Sequence, residues 1–274
     1  MEININNISV GYSKNNYIIR NLTTSFSEGG ICGILGPNGS GKTTLLRAIS
    51  GTLSYNGSIS IQTGTSDKIE IKSSNRKLLA RYISMTPQFS SMYFSYNVYE
   101  TILMGRYSHM ASSFRDMLGG TNKNDKEIVD RYISHFGLDD IRNKSINELS
   151  GGQMERVLLA RTFAQTTPII LLDEPTNHLD IKYQSELTEY LKEWIKGTTE
   201  VDGITFKNTI ISVFHDIGLA AYLADEVVIM KDGNIIKKGP KDQVLNDKVL
   251  KEVYDVDVVS YLSKTTLQNP YREY

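Results

Sequence analysis

The chain carries a single cysteine, Cys32, among 274 residues. One thiol excludes an internal disulfide framework. Its place in the apolar run Ile31 to Leu35 reads as a buried, reduced core group, which suits a cytosolic chain. Long apolar runs are missing too. No stretch approaches the ~18 residues needed to span a bilayer, and the N-terminus lacks a basic-then-apolar signal pattern. Any membrane path is therefore expected to belong to other chains. Nor is there an excess of one charge: 30 Lys and Arg face 31 Asp and Glu, a formal net charge of −1 at pH 7. That balance offers no basic footprint for nucleic acid. No repeat or low-complexity tract occurs. The length and the 40% hydrophobic content suit one large domain, or a core with a sub-domain.

What is present is chemically specific. Residues Leu149 to Gln153 read LSGGQ. By itself this pentapeptide could be a Gly-rich turn capped by Ser150 before a helix starting near Gly152. Earlier, Gly36-Pro-Asn-Gly-Ser-Gly-Lys-Thr43 has the form GxxxxGK[ST]. It follows an apolar run and opens an apolar-periodic helix through Leu45, Leu46 and Ile49, the context a phosphate loop requires. Its glycines let successive N–H groups point inward at phosphate oxygens, and the helix start adds partial positive charge. Lys42 can reach the β- and γ-phosphates, and the Thr43 hydroxyl can ligate Mg²⁺. Later, Ile169-Ile-Leu-Leu-Asp173-Glu174 reads as a buried parallel strand ending in two acids. Asp173 is expected to hold Mg²⁺ through water, and Glu174 to polarise an attacking water. Gln88 follows strand Tyr82–Thr86, Asp180 closes Pro175-Thr-Asn-His-Leu-Asp, and His215 follows strand Thr209–Val213. Each alone would read as surface or satisfied core. Tyr12 is either plain packing or a platform for adenine, by analogy with bases stacked on aromatics.

Together these residues resemble an ABC-type ATPase subunit over nearly the whole chain, from Tyr12 to about Tyr254. The motifs stand in the family order: aromatic A-loop Tyr12, Walker A Gly36–Thr44, Q-loop Gln88, signature Leu149–Gln153, Walker B Ile169–Asp173, Glu174, D-loop Asp180 and switch His215. The resemblance implies ATP and Mg²⁺ as ligands and two subunits paired head to tail. Each ATP is then clamped between one Walker A and the other chain's LSGGQ. On this reading the nucleotide is held by Tyr12, Gly36, Pro37, Asn38, Gly39, Ser40, Gly41, Lys42, Thr43, Thr44, Ser150, Gly151, Gly152, Gln153 and Asp180. The metal falls to Thr43, Gln88 and Asp173, and catalysis to Glu174, His215, Gln88 and Lys42. A second anion-binding surface at Ser150–Gly151 makes physical sense if its target is γ-phosphate presented by another chain.

The expected fold is an α/β P-loop NTPase core with a parallel sheet, an antiparallel β layer and a helical sub-domain. Strands near Ile3–Val10, Tyr17–Phe26 and Ser58–Ile61 suggest the antiparallel layer. Residues 1–254 are read as one domain with the sub-domain at about 88–149, and 255–274 as a C-terminal extension. Helix Ile181–Lys196 turns Leu187, Leu191 and Trp194 to the core. Residues 197–208 read as a polar loop, and Val256–Leu262 as a short strand.

The string Met104-Gly-Arg-Tyr-Ser-His109 resembles the ATPases of bacterial importers for iron–siderophore, haem and cobalamin complexes. Its Arg106 and His109 could equally be solvated helix charges. The aromatics Phe89, Tyr93, Phe94 and Tyr96 are either sub-domain core or a socket for a membrane subunit. The reading implies a homodimer at the cytoplasmic face of the membrane, polytopic permease subunits, an extracytoplasmic binding protein acting indirectly, and no nucleic-acid partner. Three alternatives stay open: another class of ABC transporter, a soluble ABC protein acting on ribosomes or DNA, and a non-hydrolysing regulator. Filled hydrolytic positions at Glu174 and His215 argue against the last.

Overall fold

A computed structural model describes residues 1–13, 16–64, 67–86, 96–109, 123–258 and 260. Four strands form an antiparallel layer: β1 (Glu2–Ser13), β2 (Asn16–Ser27), β4 (Tyr55–Gln62) and β5 (Lys68–Glu70), in the order β2-β1-β4-β5. In β1 the inward residues are Ile3, Ile5, Ile8 and Val10. Strict alternation would break between Ile5 and Ile8. A register shift there restores the phase, so all four side chains reach the same core.

The second sheet has six strands: β3 (Gly30–Leu35), β6 (Ile83–Met85), β7 (Ile169–Asp173), β10 (Thr209–Val213), β11 (Glu226–Lys231) and β12 (Asn234–Pro240). The order is β12-β11-β3-β10-β7-β6, parallel throughout except for antiparallel β12. Alternate residues of these strands enter two different cores. Ile31, Leu35, Ile170, Leu172 and Ile210 join the helices on one face; Cys32, Ile34, Leu171, Ile211 and Val213 join the antiparallel layer on the other. Burial on both faces explains why the strands read as unbroken apolar runs. Burial drives the Cys32 thiol pKa well above its ordinary value, which fits an inert core group.

The helical part carries α3 (Val98–Leu103), a 3₁₀ turn at Met104–His109, α4 (Lys123–His135) and α5 (Gly151–Ala164). Before them lie α1 (Lys42–Ile49) and α2 (Arg76–Leu79); after them come α6 (Ile181–Trp194), α7 (Ile217–Leu223), α8 (Lys241–Val244) and α9 (Asp247–Tyr254). Asn97 starts α3 with a complete capping box to Glu100. On α6, Leu187 and Leu191 are buried and Trp194 meets the Phe163 ring edge-on at 5.6 Å. No helix among the described residues is long and apolar enough to cross a membrane.

Two expectations are corrected. Residues 197–208 are not a loop but a hairpin, β8 (Thr198–Val201) and β9 (Ile204–Lys207). Its turn, Asp202-Gly203, has φ of +53° and +80°, which matches strand twist. Val201 and Phe206 are buried, Phe206 packs edge-on against Tyr82, and Asp202 pairs with Arg81 at 2.7 Å. The hairpin thus folds back beside the start of edge strand β6. The strand expected at Val256–Leu262 is also absent as far as it is described: Val258 and Ser260 have helical backbone.

Candidate functional site

The carboxyl ends of β3, β10 and β7 are level, because Val213 pairs with both Ile34 and Asp173. Whatever follows each strand is therefore delivered to one edge of the sheet, where α/β folds place ligands. Gly36 follows β3. The backbone then curls through Gly39 (φ +80°) and Gly41 (φ +100°), the N-cap of α1. The first turn of a helix leaves N–H groups without intrahelical partners, and here that turn directly follows the loop, with no side-chain cap at Gly41. Ile18, Asn38, Gly39, Gly41, Lys42, Thr43, Thr44 and Glu174 line a hollow of about 280 Å³.

Lys42 is buried, and its Nζ donates to Gly36 O at 2.8 Å and Pro37 O at 3.0 Å. Burial lowers its pKa, against the pull of Glu174 and Asp173. The Thr43 hydroxyl donates to Asp173 Oδ1 at 3.0 Å. A hydroxyl and a carboxylate oxygen so close are the donor types Mg²⁺ takes beside phosphate and water, so the residues fit that ion.

Glu174 opens the turn after β7 with φ +57°, and its N–H donates to Val213 O at 3.2 Å. Its Oε1 lies 2.5 Å from His215 Nε2, and its Oε2 accepts from Asn177 Nδ2 at 2.5 Å. Both carboxylate oxygens are thus oriented by neighbours at the edge of the phosphate-loop hollow. Asn177 was not singled out from the sequence; its position three residues after Glu174 inside the Pro175–Asp180 turn was the available signal. Asp180 caps α6 by accepting from Tyr183 N at 3.0 Å.

Ser150 is the N-cap of α5, with a capping box to Gln153 in both directions. A Cβ at Gly152 would lie 2.9 Å from His178 O. The turn before α6 is therefore packed against the start of α5, and only glycine fits. Ser150–Gln153 are not among the residues lining the phosphate-loop hollow. Neither is Tyr12, which is 60% exposed, lines a separate hollow with Tyr17 and Tyr55, and accepts from Arg47 Nη1 at 3.1 Å. Strand β6 leads toward Gln88, but Gln88, Phe89, Tyr93 and Phe94 lie outside the described residues. A larger apolar hollow of about 590 Å³, lined by residues of α4, α5 and α6, contains none of the phosphate-loop or Asp173–Glu174 groups.

Glu155, two residues past Gln153, has its carboxyl raised to about 7 by burial. A folded pKa above the unfolded one favours the protonated form. Its stabilisation is complete below about pH 4 and is lost as pH climbs through about 7. Glu155→Gln should therefore gain up to about 3 kcal/mol over the parent near pH 8 and almost nothing near pH 4. Urea unfolding at the two pH values checks this; parallel pH profiles for parent and variant would contradict it.

Residues 19–177 match the ABC transporter family profile. An uncharacterised ABC transporter ATP-binding protein of Bacillus subtilis, YvrA, is 35% identical over 94% of this chain, which spans 55% of that protein's length. The petrobactin import ATP-binding protein YclP of the same organism is 30% identical over 93% of this chain and 94% of its own. Among solved structures, a dimeric ATP-binding cassette bound to ADP and phosphate superposes with a TM-score of 0.69 at 25% identity, covering 87% of this chain and 98% of that one. An apposed phosphate loop, Thr43–Asp173 pair and Glu174–His215 pair on a P-loop α/β fold, with these relatives, place the chain in the ABC transporter family of ATP-binding proteins.

Proposed function

We propose that the chain hydrolyses MgATP to drive transport through a separate membrane permease. The observation that carries this is the convergence of Lys42, the Thr43–Asp173 pair and the Glu174–His215 pair at one level edge of the parallel sheet. Lys42 and the α1 amides bind phosphate. Glu174, steadied by His215 and Asn177, takes a proton from the attacking water. Thr43 and Asp173 would hold Mg²⁺, Asp173 through water, and the ion when bound would neutralise phosphate charge. Gln88 adds a further metal contact and orients water, and Tyr12 stacks on adenine. Two copies pair, each presenting Ser150–Gln153 and Asp180 to the other's nucleotide. The dimeric solved relative supports this, as does the separation of the α5 start from the phosphate-loop hollow.

The cargo is a metal chelate or corrinoid of the iron–siderophore, haem or cobalamin kind. The Met104–His109 string and the relative named for petrobactin import support that choice. The dimer sits peripherally on the cytoplasmic face, and an extracytoplasmic binding protein delivers cargo to the permease. The helical sub-domain at about 88–149 rotates within the 1–254 domain and carries the motion outward. Lys42→Ala should lower ATP affinity at least tenfold, on the order of 1.4 kcal/mol, because no neighbour replaces the phosphate contact. Unchanged binding by calorimetry would defeat the nucleotide reading. Normal growth of a deletion strain on iron chelates, haem and corrinoids as sole sources would defeat the cargo reading alone.

A further inference from the structure

Within the string Met104–His109, Arg106 is not a solvated helix charge. Arg106 is 3% exposed. Its Nε donates to Asp125 Oδ1 on α4 at 2.8 Å, and its Nη1 donates to Ala164 O at 2.7 Å and Thr166 Oγ1 at 2.6 Å. His109 Nε2 lies 2.7 Å from Gln165 O and 3.3 Å from Thr166 Oγ1. The carbonyl oxygen can only accept, so His109 Nε2 donates to Gln165 O. A Cβ at Gly105 would run into Arg161 O, so the 3₁₀ turn lies directly on the last turn of α5. Three consecutive residues at the C-terminal end of α5 are thereby gripped by one short segment. The guanidinium also meets the negative end of the helix dipole, where a cation is favoured. The grip extends further: Gln165 Nε2 donates to Ala80 O at 2.7 Å and Ile83 O at 2.9 Å, at the start of β6.

The other end of α5 is the Ser150–Gln153 capping box. A 14-residue helix is about 21 Å long, and a fixed far end sets where its near end points. We propose that Arg106, with Asp125 and His109, is a positioning clamp that holds the far end of α5 so that Ser150–Gln153 meets the partner's nucleotide at a set angle. The proposal rests on the paired-subunit reading above. Lysine cannot replace the clamp, because only a planar fork serves the carboxylate, the carbonyl and the hydroxyl together. The clamp acts through α5 and touches no nucleotide.

The test uses the full chain carrying Glu174→Gln, with ATP and Mg²⁺. Three variants are added to it: R106K; the charge-neutral pair R106Q/D125N, which leaves no buried ion unpaired; and H109A, whose exposed site tolerates truncation. ATP affinity is read by calorimetry on dilute chains, ATP-driven dimerisation by sedimentation, and Tm separately. Expected are ATP affinities within twofold of the parent, dimerisation weakened at least tenfold in R106Q/D125N and R106K, and two- to threefold in H109A. Dimerisation within twofold of the parent, with only Tm lowered, would reduce the clamp to a structural brace and overturn the proposal. So would a fall in ATP affinity matching the loss of dimerisation. If R106Q/D125N fails to fold, R106K and H109A decide by the same criteria. Should the Glu174→Gln parent itself stay monomeric with saturating ATP, the paired-subunit reading fails and the clamp with it.

Discussion

Glu174→Gln is expected to keep ATP bound and to lower turnover by about 10²–10⁴-fold, the typical loss when a positioned base is removed. The substitution preserves shape at the end of β7. It removes one of the two acceptor oxygens that His215 and Asn177 now orient at 2.5 Å each. An amide has a single oxygen and its own N–H donors, so it cannot accept both partners or take a proton from water. ATP should therefore persist and hold two chains together. Single-turnover hydrolysis and sedimentation with saturating ATP measure the two halves of this expectation. Hydrolysis near the parent rate would strip Glu174 of its role as base.

The second large effect is expected at Gly36→Ala. Gly36 has φ +152°, and an added Cβ would collide with the backbone oxygen of Met230 and sit 2.8 Å from Ser40 Oγ. Met230 lies in β11, which is hydrogen-bonded to strands on both sides and has no room to retreat. Backbone strain and overpacking together should cost about 2–6 kcal/mol, and the phosphate loop should lose its nucleotide. Gly39→Ala is the control. It shares the positive φ, at +80°, but nothing lies within 4 Å of its added Cβ. Its cost should stay near the ~1–2 kcal/mol of a left-handed residue. Equal losses in the two variants by urea unfolding would show that the collision with β11 is not what matters.

Much of the fold was legible because its decisive elements are local. Ile169–Asp173 is an apolar run of strand length ended by acids, and both of its faces are buried. Ser150 and Gln153 carry a capping box in four residues, so the start of α5 could be placed within one residue. Asp180 caps α6, whose start the sequence also placed at Ile181. The β8–β9 hairpin was missed although Asp202-Gly203 is a strong two-residue turn signal. Its flanks are mostly polar, with only Val201 and Phe206 facing inward, so composition hid the alternation. Strand β5 is three residues long and exists only through its pairing with β4. The Arg106–Asp125 pair was out of reach for another reason. The partners are 19 residues apart on different elements, and a charged residue in a short helical run ordinarily faces water.

Two residues of the single turn after β7, Glu174 at φ +57° and His178 at φ +65°, hold left-handed backbone without being glycine. Each carries about 1 kcal/mol or more that glycine would relieve. A laboratory selection for heat resistance alone would therefore drift toward glycine at both positions. At 178 that drift gives up the imidazole beside Gly151, while the backbone oxygen near Gly152 stays. At 174 it deletes the carboxylate itself. Thermostability and turnover are thus opposed at one backbone torsion, and a stabilised variant of this protein has to find its gains elsewhere in the chain.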